Sequence, residues 1–148
     1  MKIRKINLTD RDEWARMRNS LWSDSLEEHL KYIDKYFSQQ EVDILEVFVL
    51  ERSNGKLGGF IELNIRNYAE GTESRKVPYV EGWYIDSDMR GKGYGKKLID
   101  HAQIWAIENG FDELASDAET ENLISIAAHK ALGFEEVDRI VCFIKKLQ

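Results

Sequence analysis

The stretch Glu81-Gly82-Trp83-Tyr84-Ile85-Asp86-Ser87-Asp88-Met89-Arg90-Gly91-Lys92-Gly93-Tyr94-Gly95-Lys96, continued by Lys97-Leu98-Ile99-Asp100-His101-Ala102-Gln103-Ile104-Trp105-Ala106-Ile107, decides how the chain reads. Its opening is β-like, its middle is broken by glycine, and its end is an amphipathic helix. Glycines at the alternate positions 91, 93 and 95 let the backbone turn tightly with several N–H groups facing one point. A helix that starts there adds unpaired N–H donors and the positive end of its dipole. That geometry suits a phosphate or pyrophosphate. Arg90, Lys92, Lys96 and Lys97 surround it with positive charge. Gly-x-Gly-x-Gly alone is equally compatible with a flexible turn. The dinucleotide fingerprint spaces its last two glycines further apart, and a P-loop ends in Gly-Lys-Ser/Thr. The β-like run before the glycines, the helix after them and the basic residues throughout favour the anion site.

The surrounding chain is acidic, with net charge −6, and no long basic stripe offsets it, so a nucleic-acid partner is not expected. An acidic surface attracts cationic small molecules or basic peptides, although ordinary solubility explains the charge equally well. The 148 residues, 43% hydrophobic, suit one domain over 1–148 with a single core. One proline and no low-complexity tract argue against a linker. The N-terminus lacks the apolar block of a signal peptide, and no apolar run is long enough to span a bilayer. The single cysteine, Cys142, fits a cytoplasmic location and reads as a buried structural thiol in the final strand.

Along the chain, residues 2–7 read as a strand. Thr9 and Asp12 resemble a capping box that opens a helix through Trp14, Met17 and Leu21. Ser25 and Glu28 repeat that signal before Leu26, His29, Leu30, Ile33 and Phe37, which share one helical face. The β-rich run 42–51, the turn signal Ser53-Asn54-Gly55 and the run 57–66 predict a hairpin. Residues 67–77 read as a loop, long enough to suggest a functional role. The helix after the glycine loop is expected to bury Leu98, Ala102, Trp105 and Ala106 and to stop at Asn109-Gly110. A short strand over 111–117, a helix over 122–132 ended by Gly133, and a last strand pair from Phe134 to Leu147 complete a mixed α/β order.

Arg90-Gly91-Lys92-Gly93-Tyr94-Gly95 resembles the pyrophosphate loop of the GNAT superfamily of N-acetyltransferases. Asn122, Ser125, His129 and Leu132-Gly133-Phe134 resemble the second cofactor helix of that family. The resemblance covers the whole chain. It implies a single mixed sheet flanked by about four helices and splayed between its two middle strands. It also implies acetyl-CoA as co-substrate, with no metal. The loop Arg90, Gly91, Lys92, Gly93, Tyr94, Gly95 and Lys96 would hold the pyrophosphate, and Asn122 the pantetheine arm. The strand Trp83-Tyr84-Ile85 would offer a backbone N–H to the developing oxyanion. Glu81 and Asp117 are the carboxylate candidates for accepting a proton from the amine; taken singly, Asp117 also reads as a helix cap and Glu81 as an exposed strand residue. His129 stands where the family usually has a tyrosine, and is the candidate proton donor.

Trp22 at the end of the first helix, Glu81-Gly82, Ala115-Ser116-Asp117-Ala118 and Leu132-Gly133-Phe134-Glu135-Glu136 further resemble the aminoglycoside 6′-N-acetyltransferases. That likeness implies an acceptor pocket of Trp22, Tyr68, Glu81 and Asp117. Asp138 matches an acidic acceptor contact that can come from a second subunit of a homodimer. Carboxylates suit a polycationic sugar, and aromatic rings suit its faces and its ammonium groups. Arg75 and Lys76 depart from the pattern by adding positive charge nearby. Two other readings use the same core: acetylation of a protein N-terminus, a lysine or a polyamine, and a coenzyme-A-binding domain without catalysis.

Overall fold

The computed structural model describes residues 1–148. In chain order the elements are β1 (Lys2–Lys5), α1 (Arg11–Leu21), α2 (Leu26–Phe37), β2 (Glu46–Glu51), β3 (Leu57–Arg66), β4 (Val77–Ile85), α3 (Tyr94–Glu108), β5 (Ala115–Ser116) and α4 (Leu123–Ala131). The strands form one mixed sheet in the order β1-β2-β3-β4-β5, antiparallel except for the β4–β5 pair. The parallel pair needs a crossover, which α3 provides.

The alternation of β2 divides the core between the two faces of the sheet. Val47 and Val49 join Trp14, Met17, Ile33, Leu57 and Phe60 beneath α1 and α2. Phe48 points the other way, to Ile61, Leu63, Val80 and the α3 residues Leu98, Ile99 and Ala102. Trp105, expected in the core, only packs against its margin. Gly55 closes the β2–β3 hairpin with φ +84°. Ser25 caps α2, accepting from the Glu28 N–H at 3.1 Å.

Four expectations are corrected. The capping box is Asn7 with Asp10, closing the 3-10 turn Leu8–Asp10 that leads into α1, not Thr9 with Asp12, and no side chain caps α1 itself. Arg4 settles the choice by donating to both Asp10 carboxylate oxygens, at 2.7 and 2.9 Å. The last strand pair is absent: residues 134–148 join no strand, and Val141, Phe143, Ile144 and Leu147 are exposed. A strand needs a paired edge, and the two-residue β5 offers almost none. Cys142, in that segment, is therefore exposed rather than buried. Consequently β5 is an edge strand, not a middle one. No helix is long and apolar enough to cross a membrane.

Candidate active site

β4 and β5 pair only at Tyr79↔Ala115 and Val80↔Ser116. The next residue on each strand is a carboxylate, Glu81 on one and Asp117 on the other, so the sheet parts between them. From Glu81 to Ile85 the β4 edge on that side has no strand partner; on its other side Trp83, Tyr84 and Ile85 face Ile61, Phe60 and Gly59 of β3. Opposite β3, Glu62 pairs with Gly82 and Leu63 with Val80, leaving Glu81 as a bulge. A bulge re-aims its side chain and bends the strand, here at the mouth of the gap.

Past the gap, a 3-10 turn at Ser87–Met89 leads into the glycine loop. Gly91 and Gly93 have φ of +75° and +84°, values that favour glycine. Gly93 is the N-cap of α3 and no side chain caps that end. The return bond from the Lys97 N–H reaches the Gly93 carbonyl at 3.2 Å. The N–H groups of the residues before it, Tyr94, Gly95 and Lys96, lie in the first turn with no carbonyl to reach within the helix. The basic side chains are tethered around the loop. Arg90 donates to the Ile85 carbonyl at 2.8 Å and lies over Tyr84. Lys92 donates to the Asp88 carbonyl at 3.1 Å, Lys96 pairs with Asp100 at 2.7 Å, and Lys97 sits over Tyr94. What this loop offers an anion is thus principally main-chain amides.

Asp86 anchors the loop's entry. It accepts from Arg16 of α1 at 3.0 and 3.1 Å and from Arg52 at 2.9 Å. Burial pushes its carboxyl up, but these guanidinium bonds outweigh burial and hold it below the usual range. Arg52 also grips Asp88, whose carboxyl is lowered to about 2 by that hydrogen bond.

Trp83 joins the loop to α4. A Cβ on Gly95 would stand 3.1 Å from its ring, and His129 meets the indole edge-on at 5.3 Å. His129 Nδ1 lies 2.7 Å from the Ser125 carbonyl, one turn back, so it carries the proton and donates there. Its Nε2 therefore accepts from the Ser116 hydroxyl at 2.8 Å. Asn122 is the N-cap of α4, its Oδ1 accepting from the Ser125 N–H at 3.1 Å.

On the opposite side of the sheet, Trp22 lies over Gly82, and Glu62 lies buried beside both. Arg18 bonds both Glu62 oxygens, and Trp14 Nε1 donates to Glu62 at 3.2 Å. The Arg18 guanidinium is stacked between Trp22 and Tyr32, 4.8 and 4.5 Å from their centroids. Burial pushes the Glu62 carboxyl up against the pull of Arg18. Arg18 Nε donates to His29 Nδ1, and His29 Nε2–H donates to the Trp22 carbonyl at 2.9 Å. Trp22 is thus held through both its ring and its backbone.

The two carboxylates at the gap have different partners. Glu81 accepts from Arg66 in a two-pronged pair, and from Asn64 at 3.2 Å. Asp117 accepts from the Tyr79 hydroxyl at 2.5 Å. Burial and that hydrogen bond raise the Tyr79 phenol above its usual value. Arg66 lies on the Tyr79 ring, 3.6 Å from its centroid. The structure thus gathers Glu81, Asp117 and Trp22 at one parting. Tyr68 is 67% exposed in the 67–76 loop, and Asp138 bonds only its neighbour, the Arg139 N–H. Val137 crowds Gly71 of that loop, so the segment carrying Asp138 runs beside the one carrying Tyr68. Sequence reading missed Arg66, Tyr79, Arg18 and Glu62. Only Glu62 left a trace, as a charge inside the apolar run Phe60-Ile61-Glu62-Leu63.

Comparison with known proteins fits this geometry. The profile of the Acetyltransferase (GNAT) family matches residues 14–134. An aminoglycoside N(6′)-acetyltransferase type 1 of Klebsiella aerogenes is 38% identical over 146 residues, which span 98% of this chain and 96% of that one. The crystal structure of the 6′-N-acetyltransferase AAC(6′)-IG of Acinetobacter haemolyticus superposes with a TM-score of 0.90 at 33% identity, covering 100% of both chains. AAC(6′)-Iy, solved with the bisubstrate analogue CoA-S-monomethyl-acetylneamine, gives 0.87 at 33% identity over 98% of this chain and 97% of that one. With matching sequence over most of its length, and the same architecture around a parted sheet and an amide-lined turn, this chain belongs to the GNAT acetyltransferase family.

Proposed function

We propose that this protein transfers the acetyl group of acetyl-CoA to the 6′-amine of aminoglycoside antibiotics, by direct attack in a ternary complex, and so confers resistance. The observation that carries this reading is the parting of β4 and β5 with Glu81 and Asp117 at its mouth, next to a loop of free amides. Relatives that resemble the chain over nearly its full length are aminoglycoside 6′-N-acetyltransferases, which selects the acceptor among those a GNAT core can serve.

In this reading the amides of Gly91 to Lys96 hold the pyrophosphate of the coenzyme. The pantetheine arm lies along the open β4 edge, near Asn122. Holding the thioester beside the amine removes much of the entropic barrier. Asp117 or Glu81, directly or through a water, takes the proton that makes the amine nucleophilic. A backbone N–H of the Trp83–Ile85 strand steadies the oxyanion. The leaving thiolate receives its proton from Nε2 of His129 in the imidazolium form, reached when the ring takes up a proton from solvent; Ser116 Oγ beside Nε2 then accepts rather than donates. Trp22 and Tyr68 cover sugar faces. The enzyme works in the cytoplasm as a homodimer, and Asp138 reaches the acceptor site from the exposed tail. The apolar residues of that tail support the dimer, since exposed patches of this kind mark association surfaces.

Thiol release from acetyl-CoA with kanamycin as acceptor tests the proposal. Release only with peptides or polyamines, or coenzyme binding with no turnover, overturns it. Asp117→Asn is expected to lower kcat by about 100-fold or more while leaving acetyl-CoA affinity intact. Unchanged turnover would remove Asp117 from the role of base.

A further inference from the structure

Arg66 places a fixed positive charge inside a cleft built for a cationic acceptor. It ends β3, and its guanidinium fork meets Glu81 face on, Nε standing 2.9 Å from Oε2 while Nη2 bonds Oε1. Such two-pronged pairs are among the stronger hydrogen-bonded ion pairs. The Glu81 side chain is 15% exposed and that of Arg66 40%, so the carboxylate is the more enclosed of the two. The guanidinium plane rests on the Tyr79 ring, whose hydroxyl is bonded to Asp117. One cation therefore bridges the surroundings of both carboxylates, but its hydrogen bonds go to Glu81. Asp117 has a neutral phenol as its hydrogen-bond partner and feels Arg66 only through space.

The geometry points to Arg66 as the residue that sets acceptor recognition, by occupying on Glu81 the place an acceptor ammonium group would take. This rests on the aminoglycoside reading above. An ammonium approaching the cleft finds Glu81 engaged and goes to Asp117, where losing a proton leads to reaction. Without Arg66, Glu81 becomes a second anionic anchor. It binds the polycation more tightly and holds it away from the productive pose.

Calorimetric titration of the acetyl-CoA-loaded enzyme with kanamycin, alongside kinetics, tests this. Arg66→Gln is expected to lower the kanamycin Kd by about tenfold and to lower kcat as well, with acetyl-CoA affinity unchanged. Arg66→Lys, which keeps a charge but loses the fork, should fall between. In a Glu81→Gln background the gain from Arg66→Gln should vanish, because the two act as a pair. A gain that persists there shows Arg66 to be a mere repelling charge and overturns the inference, as does an unchanged or weakened Kd in Arg66→Gln. If the unsubstituted enzyme releases no thiol with kanamycin, the acceptor class itself is wrong and the inference falls with it. Turnover by that enzyme with any of the contrary variant results defeats the inference alone.

Discussion

Trp22 lies so close to Gly82 that a Cβ placed there would stand 2.6 Å from the indole Cη2 and 3.1 Å from a Glu62 oxygen. Gly82→Ala must therefore move the indole, because Glu62 is held by Arg18 and Trp14. Overpacking of this kind costs about 1–3 kcal/mol. The variant is expected to fold and to bind acetyl-CoA normally, since the amide loop is untouched. Its KM for kanamycin should rise by about tenfold if the strain falls on Trp22. An unaltered KM would place Trp22 outside the acceptor site.

Arg18 and Glu62 form a buried ion pair, their side chains 10% and 1% exposed. Removing one partner leaves an uncompensated charge in the interior. Arg18→Met is expected to lower unfolding free energy in urea by about 3–5 kcal/mol, and adding Glu62→Met should recover most of the loss. Equal destabilisation in the single and double variants would show that packing, not charge, is at stake.

Acid should weaken the protein through its guanidinium-bound carboxylates. Asp10, Asp86 and Asp88 all lie below their ordinary value of 3.8 in the folded state. At Asp10 burial pushes up, and the bonds from Arg4 and the Asn7 N–H more than reverse it. A depressed folded value means the folded state releases protons that the unfolded state retains. The stabilisation is complete above about 3.8 and drains away as pH falls through the lower folded values, for Asp88 about 2. Thermal melts should show Tm dropping over that interval. Arg52→Met, which frees Asp88 and leaves Asp86 to Arg16 alone, should lower Tm near neutrality and flatten the acid limb; an acid limb of unchanged steepness contradicts this assignment.

The hairpin, the glycine loop and the cap at Ser25 are legible because each is settled by neighbours in sequence. At the first helix the same local logic points to Thr9 with Asp12, whereas the box forms at Asn7 with Asp10, whose carboxylate Arg4 holds from across on β1. Glu81 and Asp117 could be placed at the parting from their motifs. Their partners could not, because Arg66 and Tyr79 are joined to them through sheet register and carry no pattern of their own. The segment after Phe134 shows the limit of propensity: Val141, Phe143 and Ile144 favour extended backbone, yet a strand exists only where another edge receives it.

The open edge of β4 divides the protein's two recognition tasks between different kinds of atoms. In the function proposed above, the donor would be met by peptide groups, which most side-chain substitutions outside Gly91 and Gly93 leave in place. The acceptor would be met by the side chains of Trp22, Glu81, Arg66 and Asp117, which substitution changes directly. Appetite for new antibiotics can therefore drift while the hold on the donor endures, and a lineage built this way can change its targets without relearning its chemistry.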